Sequence, residues 1–277
     1  MLPRTFLHIP RVGPVTEARL WARGIRSWDD LLAAGTGVLP RSAARSASAC
    51  LEASRRALAE GRPGFFAGRL PPAEHWRLFP HFRARTAYLD IETTGLDAES
   101  GHVTTAALYD GRRLRWYVHG ENLDDFAADV ARYDVLVTYN GRCFDLPFLE
   151  RSMGLRLGQA HIDLRCVLGA LGFRGGLKGC ERALGVRRDG LDGVDGWTAV
   201  RLWAAWRRSG SRRALETLIA YNAADTVNLE RLMVAAYNLR LGATPFAGET
   251  PLEAPAPPPP PFAPDRGVLR ALGAPAA

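Results

Sequence analysis

The chain has 277 residues, of which 47% are hydrophobic and 23% charged, so it can bury a substantial core in one or two domains. No apolar run reaches the roughly 18 residues that a membrane-spanning helix needs, and the start lacks a signal-peptide pattern, which predicts a soluble cytoplasmic protein without a membrane partner. The four cysteines show no Cys-x-x-Cys spacing, so neither a zinc site nor a disulfide framework is indicated.

The formal net charge of +7 is unevenly distributed along the chain. Residues 1–85 contain 14 arginines against 6 acids, a balance of +8, whereas residues 86–244 contain 20 basic and 20 acidic residues. A basic N-terminal third suits a polyanionic partner, and a merely solvated charged surface is the alternative.

The first predicted element is a tight Pro/Gly turn that opens a short helix within residues 9–21 and ends at Gly24. This stretch resembles a helix-hairpin-helix motif, whose hairpin amides and helix N-terminus hold a DNA backbone phosphate. Arg11 stands where the motif commonly has glycine, and few residues precede it for a first helix. Nucleic-acid binding through Arg11 and a packing or protein-contact role are both open for residues 6–34.

Two segments follow this motif and complete an N-terminal helical region, residues 1–80. Residues 42–61 have apolar side chains at helical spacing, which predicts an amphipathic helix. Residues 61–80 are rich in proline and glycine, which predicts an irregular connector. Its aromatic side chains indicate that the connector packs against the next domain and is not a free linker.

The chain is organised around the strand-like run Tyr-Leu-Asp-Ile-Glu-Thr-Thr-Gly-Leu at residues 88–96. Successive side chains of a strand point to opposite faces, so Asp90 and Glu92 share one face. Two neighbouring acids repel each other on a semi-buried surface unless a cation of higher charge lies between them, which indicates a metal site. For this pair alone, a solvated edge-strand face is the alternative.

Strands and helices alternate after this run, which predicts an α/β sheet within a domain at residues 81–244. Strands at 102–109 and 113–119 are joined by an Asp-Gly turn, and a helix over 122–133 precedes a buried strand at 134–139. Further helices are predicted at 146–153, 177–184, 198–208 and 212–239.

The last segment, residues 245–277, contains 10 of the 19 prolines, including the run at 257–261. Such a composition cannot form a packed core, so the segment is predicted to be a disordered or extended tail. Residues 267–272 are a candidate for a short docking helix, and a protein partner that binds through the tail is an open alternative.

Further acids follow in two other stretches. Asn140 begins the run Asn-Gly-Arg-Cys-Phe-Asp, which ends at Asp145 after the 134–139 strand. Tyr221 and Asp225 are four residues apart, so they lie on one face of a predicted helix. Taken separately, Asp145 fits a helix cap, and Tyr221 with Asp225 fits a polar pair on a packed helix.

Together, the three stretches resemble in order and spacing the three motifs of the DEDD exonucleases of the ribonuclease H-like superfamily. The Tyr-x-x-x-Asp form is that of the subgroup that includes the proofreading domain of family-B DNA polymerases. The segment Gly-Leu-Lys-Gly-Cys-Glu-Arg-Ala-Leu-Gly at 176–185 and the N-terminal hairpin also resemble stand-alone bacterial proteins of the YprB type. The resemblance covers residues 86–240 and is carried by Asp90, Glu92, Asp145, Tyr221 and Asp225.

This resemblance implies a five-stranded mixed sheet flanked by helices, with the first strand central. It also implies metal-dependent removal of nucleotides from the 3′ end of single-stranded nucleic acid, and the hairpin favours DNA over RNA. Hydrolysis of a phosphodiester needs an activated water and charge stabilisation, which two divalent ions about 4 Å apart can share. Mg²⁺ and Mn²⁺ prefer oxygen ligands, in keeping with carboxylates in the motifs.

The resemblance also implies a role for each motif residue. Asp90 would bridge both ions, Glu92 and Asp225 would complete the first, and Asp145 would hold the second largely through water. Tyr221 would orient the attacking water, since an ordinary pKa of about 10 makes a tyrosine a poor base.

The residues that would contact the terminal nucleotide are Thr93, Leu96, Asn140 and Phe144, again by resemblance. A phenylalanine suits stacking because every base has a π face. Core packing is the alternative for Leu96 and Phe144.

Two other functions remain open at this point. One is a catalytically silent nucleic-acid-binding or scaffold module on an exonuclease fold, although the presence of all four acids and the tyrosine counts against it. The other is a structure-selective endonuclease on the same fold.

Overall fold

The computed structural model describes residues 1–97, 99–249 and 251–273. The strands in this part of the chain are β1 Thr86–Thr93, β2 Val103–Tyr109, β3 Leu114–Val118, β4 Val135–Thr138 and β5 Ala160–Asp163. The helices are α1 Pro14–Ala22, α2 Trp28–Ala34, α3 Arg41–Ala59, α4 Pro63–Ala67, α5 Phe79–Phe82, α6 Phe126–Val130, α7 Asp145–Met153, α8 Leu164–Ala170, α9 Gly176–Ala183, α10 Gly196–Ser209, α11 Arg212–Gly242 and α12 Arg266–Ala271. None of these helices combines the length and the apolar character that a membrane crossing requires.

The strands form one mixed sheet in the order β3-β2-β1-β4-β5. β1 lies at the centre, antiparallel to β2 and parallel to β4, and the register shifts between Glu92 and Thr93. Leu89 and Ile91 are buried on the face opposite the two acids, in a core cluster with Phe148. The predicted fold class, a five-stranded mixed sheet flanked by helices with the first strand central, is confirmed.

In the sheet domain, one predicted helix differs from the structure and two elements were not predicted. The helix predicted at 122–133 is reduced to a 3₁₀ turn at Leu123–Asp125 and α6, and Asn122 before it accepts the N–H of Val118, the last residue of β3. β5 and α8 were not predicted, since a four-residue strand is too short to show an alternating pattern.

The N-terminal region packs directly on the sheet. Phe66, Trp76 and Phe79 are buried in the same core cluster as Val135 of β4 and Ile162 of β5. The predicted contact of the connector with the next domain is therefore confirmed, but its irregular character is wrong in part. The connector forms α4, a 3₁₀ helix at Pro72–Leu78 and α5.

The turn before α1 has a backbone conformation that favours glycine. Arg11 is exposed and takes φ 69°, a conformation that glycine adopts at no steric cost. Within α1, Glu17 is buried, accepts the N–H of Phe6 at 2.7 Å and pairs with Arg77 of the connector at 2.8 Å. The turn is thus fixed to the body of the protein through Glu17, whereas Arg11 points to solvent.

The proline-rich tail is extended up to α12, which is one of the two predicted alternatives, and α12 covers most of the candidate helix at 267–272. The Asp265 N–H donates to Thr217 Oγ1 at 2.9 Å, and the Asp265 side chain caps α12. Leu269 is buried in the cluster formed by α10 and α11, and Phe262 meets Trp116 with ring centroids 5.8 Å apart. An apolar side chain every few residues is thus enough to dock a segment that has no core of its own.

Candidate metal centre

Three carboxylates from two elements converge in the second half of β1. Asp90 and Glu92 lie on β1, and Asp225 lies on α11, which packs along the sheet. One carboxylate oxygen from each of the three lies within 4.8 Å of the others. The alternation of β1 puts the first two on one face, and the packing of α11 brings the third to them.

The electrostatics of the group are unfavourable to three separate negative charges. Burial raises the pKa of Asp90 and of Glu92 well above the ordinary carboxyl values, and the charge of Asp225 raises both further. Lys178 and Arg188 act in the opposite direction on the pKa of Glu92. Buried acids that repel one another in this way favour a bound cation.

The donor set fits a hard divalent ion such as Mg²⁺ or Mn²⁺. The group consists of carboxylates alone, the ligand type these ions prefer. Asn222 donates from Nδ2 to Asp90 Oδ2 at 2.7 Å, while its own Oδ1 is buried without a hydrogen-bond partner among the described residues. A buried, uncommitted amide oxygen beside the acids is a further place for an ion or its water.

Asp145 lies beside this group but outside the set of three. It begins α7, is 4% exposed, and its Oδ1 accepts the backbone N–H of Ile91 at 3.3 Å. Burial raises its pKa to about 7. Its charge also raises the pKa of Asp90, so the two carboxylates are close enough to interact.

Tyr221 lies one turn before Asp225 on α11, and its hydroxyl is held by a lysine. Lys178 donates from Nζ to the Tyr221 hydroxyl at 2.8 Å and also donates to the Val194 carbonyl. Burial raises the pKa of Tyr221, and the charges of Asp225 and Glu92 raise it further. Tyr221 is therefore a neutral hydroxyl near pH 7.

Arg188 makes a second cationic contact with the group. It lies between α9 and α10, is 8% exposed and pairs with Asp225 through Nη1 and with Glu181 through Nε and Nη2. Although burial opposes its charge, the acids around it keep the pKa of Arg188 above its ordinary value.

A buried aspartate fixes the loop that leads from β4 to α7. Asn140 in this loop takes φ 67°, and its N–H donates to Asp163 Oδ1 at 2.8 Å. Asp163 also accepts the N–H of Arg142 at 3.1 Å and that of Arg165 at 2.9 Å. Asp163 therefore sets the path of the chain into Asp145.

An open cleft of about 660 Å³ begins at Asp90 and Asp225. Its walls include Arg165, which donates to Asn140 Oδ1 at 2.5 Å, and Arg174, which donates to the Gly169 carbonyl at 2.7 Å. The volume lies within the range of small-ligand sites, roughly 300–1,000 Å³. A cleft lined by both carboxylates and guanidinium groups suits an anionic ligand that binds with a metal.

The other residues predicted to contact a nucleotide lie in different settings. Thr93 is buried after the register shift of β1, and its hydroxyl donates to the Gly95 carbonyl at 2.6 Å. Leu96 is 89% exposed, so the core-packing alternative is wrong for it. Phe144 is half-buried against Phe148, with ring centroids 5.6 Å apart, and Arg11 lies in the N-terminal turn.

Four residues of the site were not singled out in the sequence. Lys178 is the only lysine of the chain and could have been noticed for that reason. Asn222 adjoins Tyr221, and Asp163 ends a strand that was not predicted. Arg188 carried no signal, because it is one of many arginines and its contacts depend on how α9 and α11 pack.

Comparison with known proteins identifies a family and a solved structure of similar fold. A family model described as RNase_H superfamily (RNase_H_2) matches residues 87–237. The structure of the family B DNA polymerase from the hyperthermophilic archaeon Pyrobaculum calidifontis is similar, with 18% sequence identity and a TM-score of 0.45 over 58% of this chain and 26% of that chain. The present chain thus spans about a quarter of the polymerase's length. No curated protein matches.

The family match covers more than half of the chain, including all five strands except the first residue of β1. It also includes the three convergent carboxylates, Asp145 and Tyr221. The chain belongs to the RNase H superfamily.

Proposed function

We propose that this protein is a metal-dependent 3′-to-5′ exonuclease that hydrolyses phosphodiester bonds of single-stranded nucleic acid, with DNA preferred over RNA. The observation that carries the proposal is the convergence of Asp90, Glu92 and Asp225 in a site where burial and mutual repulsion raise carboxyl pKa values. The resemblance of the five motif residues to the DEDD exonucleases with tyrosine supports the direction of cleavage.

The acids are the metal-holding part of this mechanism. Asp90, Glu92 and Asp225 would hold the ions, and Asp145, fixed beside Ile91, would serve the second. When bound, two divalent ions supply an activated water and stabilise charge on the attacking and leaving oxygens. The described cations of the site, Lys178 and Arg188, leave enough negative charge to attract them.

Tyr221 orients the attacking water in this proposal. Its oxygen accepts a hydrogen bond from Lys178 at 2.8 Å, so the hydroxyl hydrogen stays available for donation into the site. Because the pKa of Tyr221 is raised, the residue keeps its proton near neutral pH and acts by position, not as a base.

The cleft and the charge distribution support the proposed substrate class. Arg165 and Arg174 line the same cleft of about 660 Å³ as Asp90, where they could contact phosphates of a strand whose end lies at the acids. The buried position of the acids favours a free strand end over a duplex. The preference for DNA rests on the hairpin at the N-terminus.

The test uses 5′-labelled DNA and RNA oligonucleotides with Mg²⁺, Mn²⁺ or EDTA, read on a gel. We expect a ladder that shortens from the 3′ end, only with metal, and faster for DNA. Asp90→Ala should give no ladder. The control is Asp129→Ala, which removes an acid outside the site that accepts a hydrogen bond from the Tyr117 hydroxyl, and this variant should cleave like the wild type.

Other outcomes would replace the proposal. Internal cuts near a junction, without a ladder, would identify a structure-selective endonuclease. Metal-independent binding without any cleavage would identify a silent binding module.

A further inference from the structure

Arg188 is the most completely held charged side chain of the site. Its Nε and Nη2 donate to the two carboxylate oxygens of Glu181 at 2.5 and 2.9 Å, and Nη1 pairs with Asp225 Oδ1. Glu181 is in turn held by Asn228, which donates to Glu181 Oε1 at 2.8 Å. The series of hydrogen bonds Asn228–Glu181–Arg188–Asp225 thus begins and ends on α11 and passes through α9.

This arrangement fixes a carboxylate that a metal would need. The guanidinium is planar and donates in a fixed fork, so two bonds to Glu181 determine where Nη1 points. Nη1 then takes one oxygen of Asp225, and no described residue donates a hydrogen bond to the other. Asp225 is left with one committed and one free oxygen, in a set position.

We propose that Arg188 is a positioning residue that orients Asp225 for metal binding. The inference rests on the proposed metal site and adds a residue to it. Partners that hydrogen-bond a ligating carboxylate typically change metal affinity 10- to 100-fold when they are lost.

A different role would be simple neutralisation of charge, and it makes the opposite prediction. If Arg188 only offset nearby acids, a lysine would serve as well, and removal of the cation would strengthen binding of a divalent ion. If Arg188 acts through the fixed geometry of its guanidinium group, a lysine cannot replace it, because a single ammonium cannot hydrogen-bond both oxygens of Glu181 and also reach Asp225.

The experiment measures Mn²⁺ binding by isothermal titration calorimetry on the full chain, at one pH and without nucleic acid. Arg188→Lys keeps the charge and should lower the Mn²⁺ affinity by about 10-fold or more. The double variant Arg188→Gln with Glu181→Gln keeps the net charge of the site and should lower it similarly. The matched control is Arg77→Lys, a 3% exposed arginine paired with Glu17 and Glu74, which should leave the affinity unchanged.

Circular dichroism first establishes which variants fold, and the double variant is decisive if Arg188→Lys does not. Wild-type or tighter Mn²⁺ affinity in a folded Arg188→Lys or double variant would overturn the inference. Failure of the proposed function looks different, because the wild type itself would then bind no Mn²⁺, or Asp90→Asn would bind it equally well.

Discussion

Two buried groups of charged side chains differ in how their charges balance. Where the N-terminal region meets the rest of the protein, Glu17 and Glu74 pair with Arg77 and Arg240, so two acids meet two arginines. In the metal centre, two cations, Lys178 and Arg188, face five acids, namely Asp90, Glu92, Asp145, Glu181 and Asp225.

The difference separates a structural charge group from a functional one. In the balanced group, loss of one member leaves an unpaired buried charge, which costs about 3–5 kcal/mol. In the metal centre, loss of an unpaired acid removes repulsion, so stability does not explain why the acids are there. An excess of buried negative charge is useful only when a cation arrives.

The largest expected effect comes from Asp90→Ala, which removes a carboxylate from the centre of the acidic group. It should abolish metal-dependent hydrolysis, and Asp225→Ala should do the same. Without metal, the melting temperature of Asp90→Ala should hold or rise, because a repelled acid is gone. Gel assays and thermal unfolding in EDTA check the two parts.

The matched substitution in the balanced group is Glu17→Ala. Because it removes one of the two carboxylates that pair with the buried Arg77 and leaves the group with an excess positive charge, the melting temperature should fall clearly, while the Mn²⁺ affinity of the folded protein stays unchanged. A loss of stability for Asp90→Ala as large as that for Glu17→Ala would end the distinction between the two groups.

Tyr221→Phe should reduce the rate of cleavage by roughly 10- to 1,000-fold, the usual worth of positioning and proton donation by one group. Binding of Mn²⁺ should barely change, since the hydroxyl is not among the convergent ligands. Single-turnover kinetics measures the effect. Tyr237→Phe, on the same helix next to Trp76, is the control and should cleave normally. An unaltered rate for Tyr221→Phe would reduce Tyr221 to a packing residue.

A smaller effect is expected in the pH dependence of the metal-free protein. The pKa of Asp145 is raised from 3.8 to about 7, so the folded state binds a proton more tightly than the unfolded state. The contribution of Asp145 to stability is therefore fully present below its unfolded pKa and is lost as pH rises through about 7. Between pH 4 and 8 in EDTA, the melting temperature of the wild type relative to that of Asp145→Asn should therefore decline as the pH rises. An equal slope in both proteins would refute the assignment.

The smallest effect concerns the basic N-terminal region. Arg41, Arg45 and Arg56 are exposed on one face of α3, where they can contact phosphates of a longer strand. Replacing the three by glutamine should weaken binding of a long single strand in EDTA and reduce its salt dependence, by about 0.7 in log-log slope per lost contact. Very short oligonucleotides should bind as before.

The control is a second triple variant, in which three exposed arginines in the neutral part of the chain are replaced by glutamine. These are Arg132, Arg151 and Arg156. Equal losses in both triple variants would mean that net charge alone matters. Deletion of residues 1–80 cannot serve as the test, because Phe66 and Trp76 share a core with the sheet.

The site residues that could be predicted from the sequence are those placed together by local spacing along one strand or one helix. Alternation on β1 pairs Asp90 with Glu92, and helical spacing pairs Tyr221 with Asp225. The fold class followed from the same motifs. The residues that hold these side chains could not be predicted, because Lys178 and Arg188 reach the site only through the packing of α9 against α11.

The tail shows the same limit of sequence analysis, because here the structure contains more tertiary contacts than the sequence predicted. Its proline content correctly excludes a packed core, but composition says nothing about a groove elsewhere that can receive Leu269. Likewise, the four residues of β5 gain their burial from β4 and from the N-terminal region, where His75 meets the His161 carbonyl at 2.7 Å. Such contacts are tertiary and leave no periodic pattern.

The most direct test of the metal centre is the anomalous scattering of crystals soaked in Mn²⁺. A two-ion centre predicts two manganese peaks, one between Asp90, Glu92 and Asp225 and a second on the side of Asp145, and neither in Asp90→Ala. The absence of a peak within bonding distance of Asp90, Glu92 and Asp225, at a Mn²⁺ concentration that supports cleavage in solution, would contradict it.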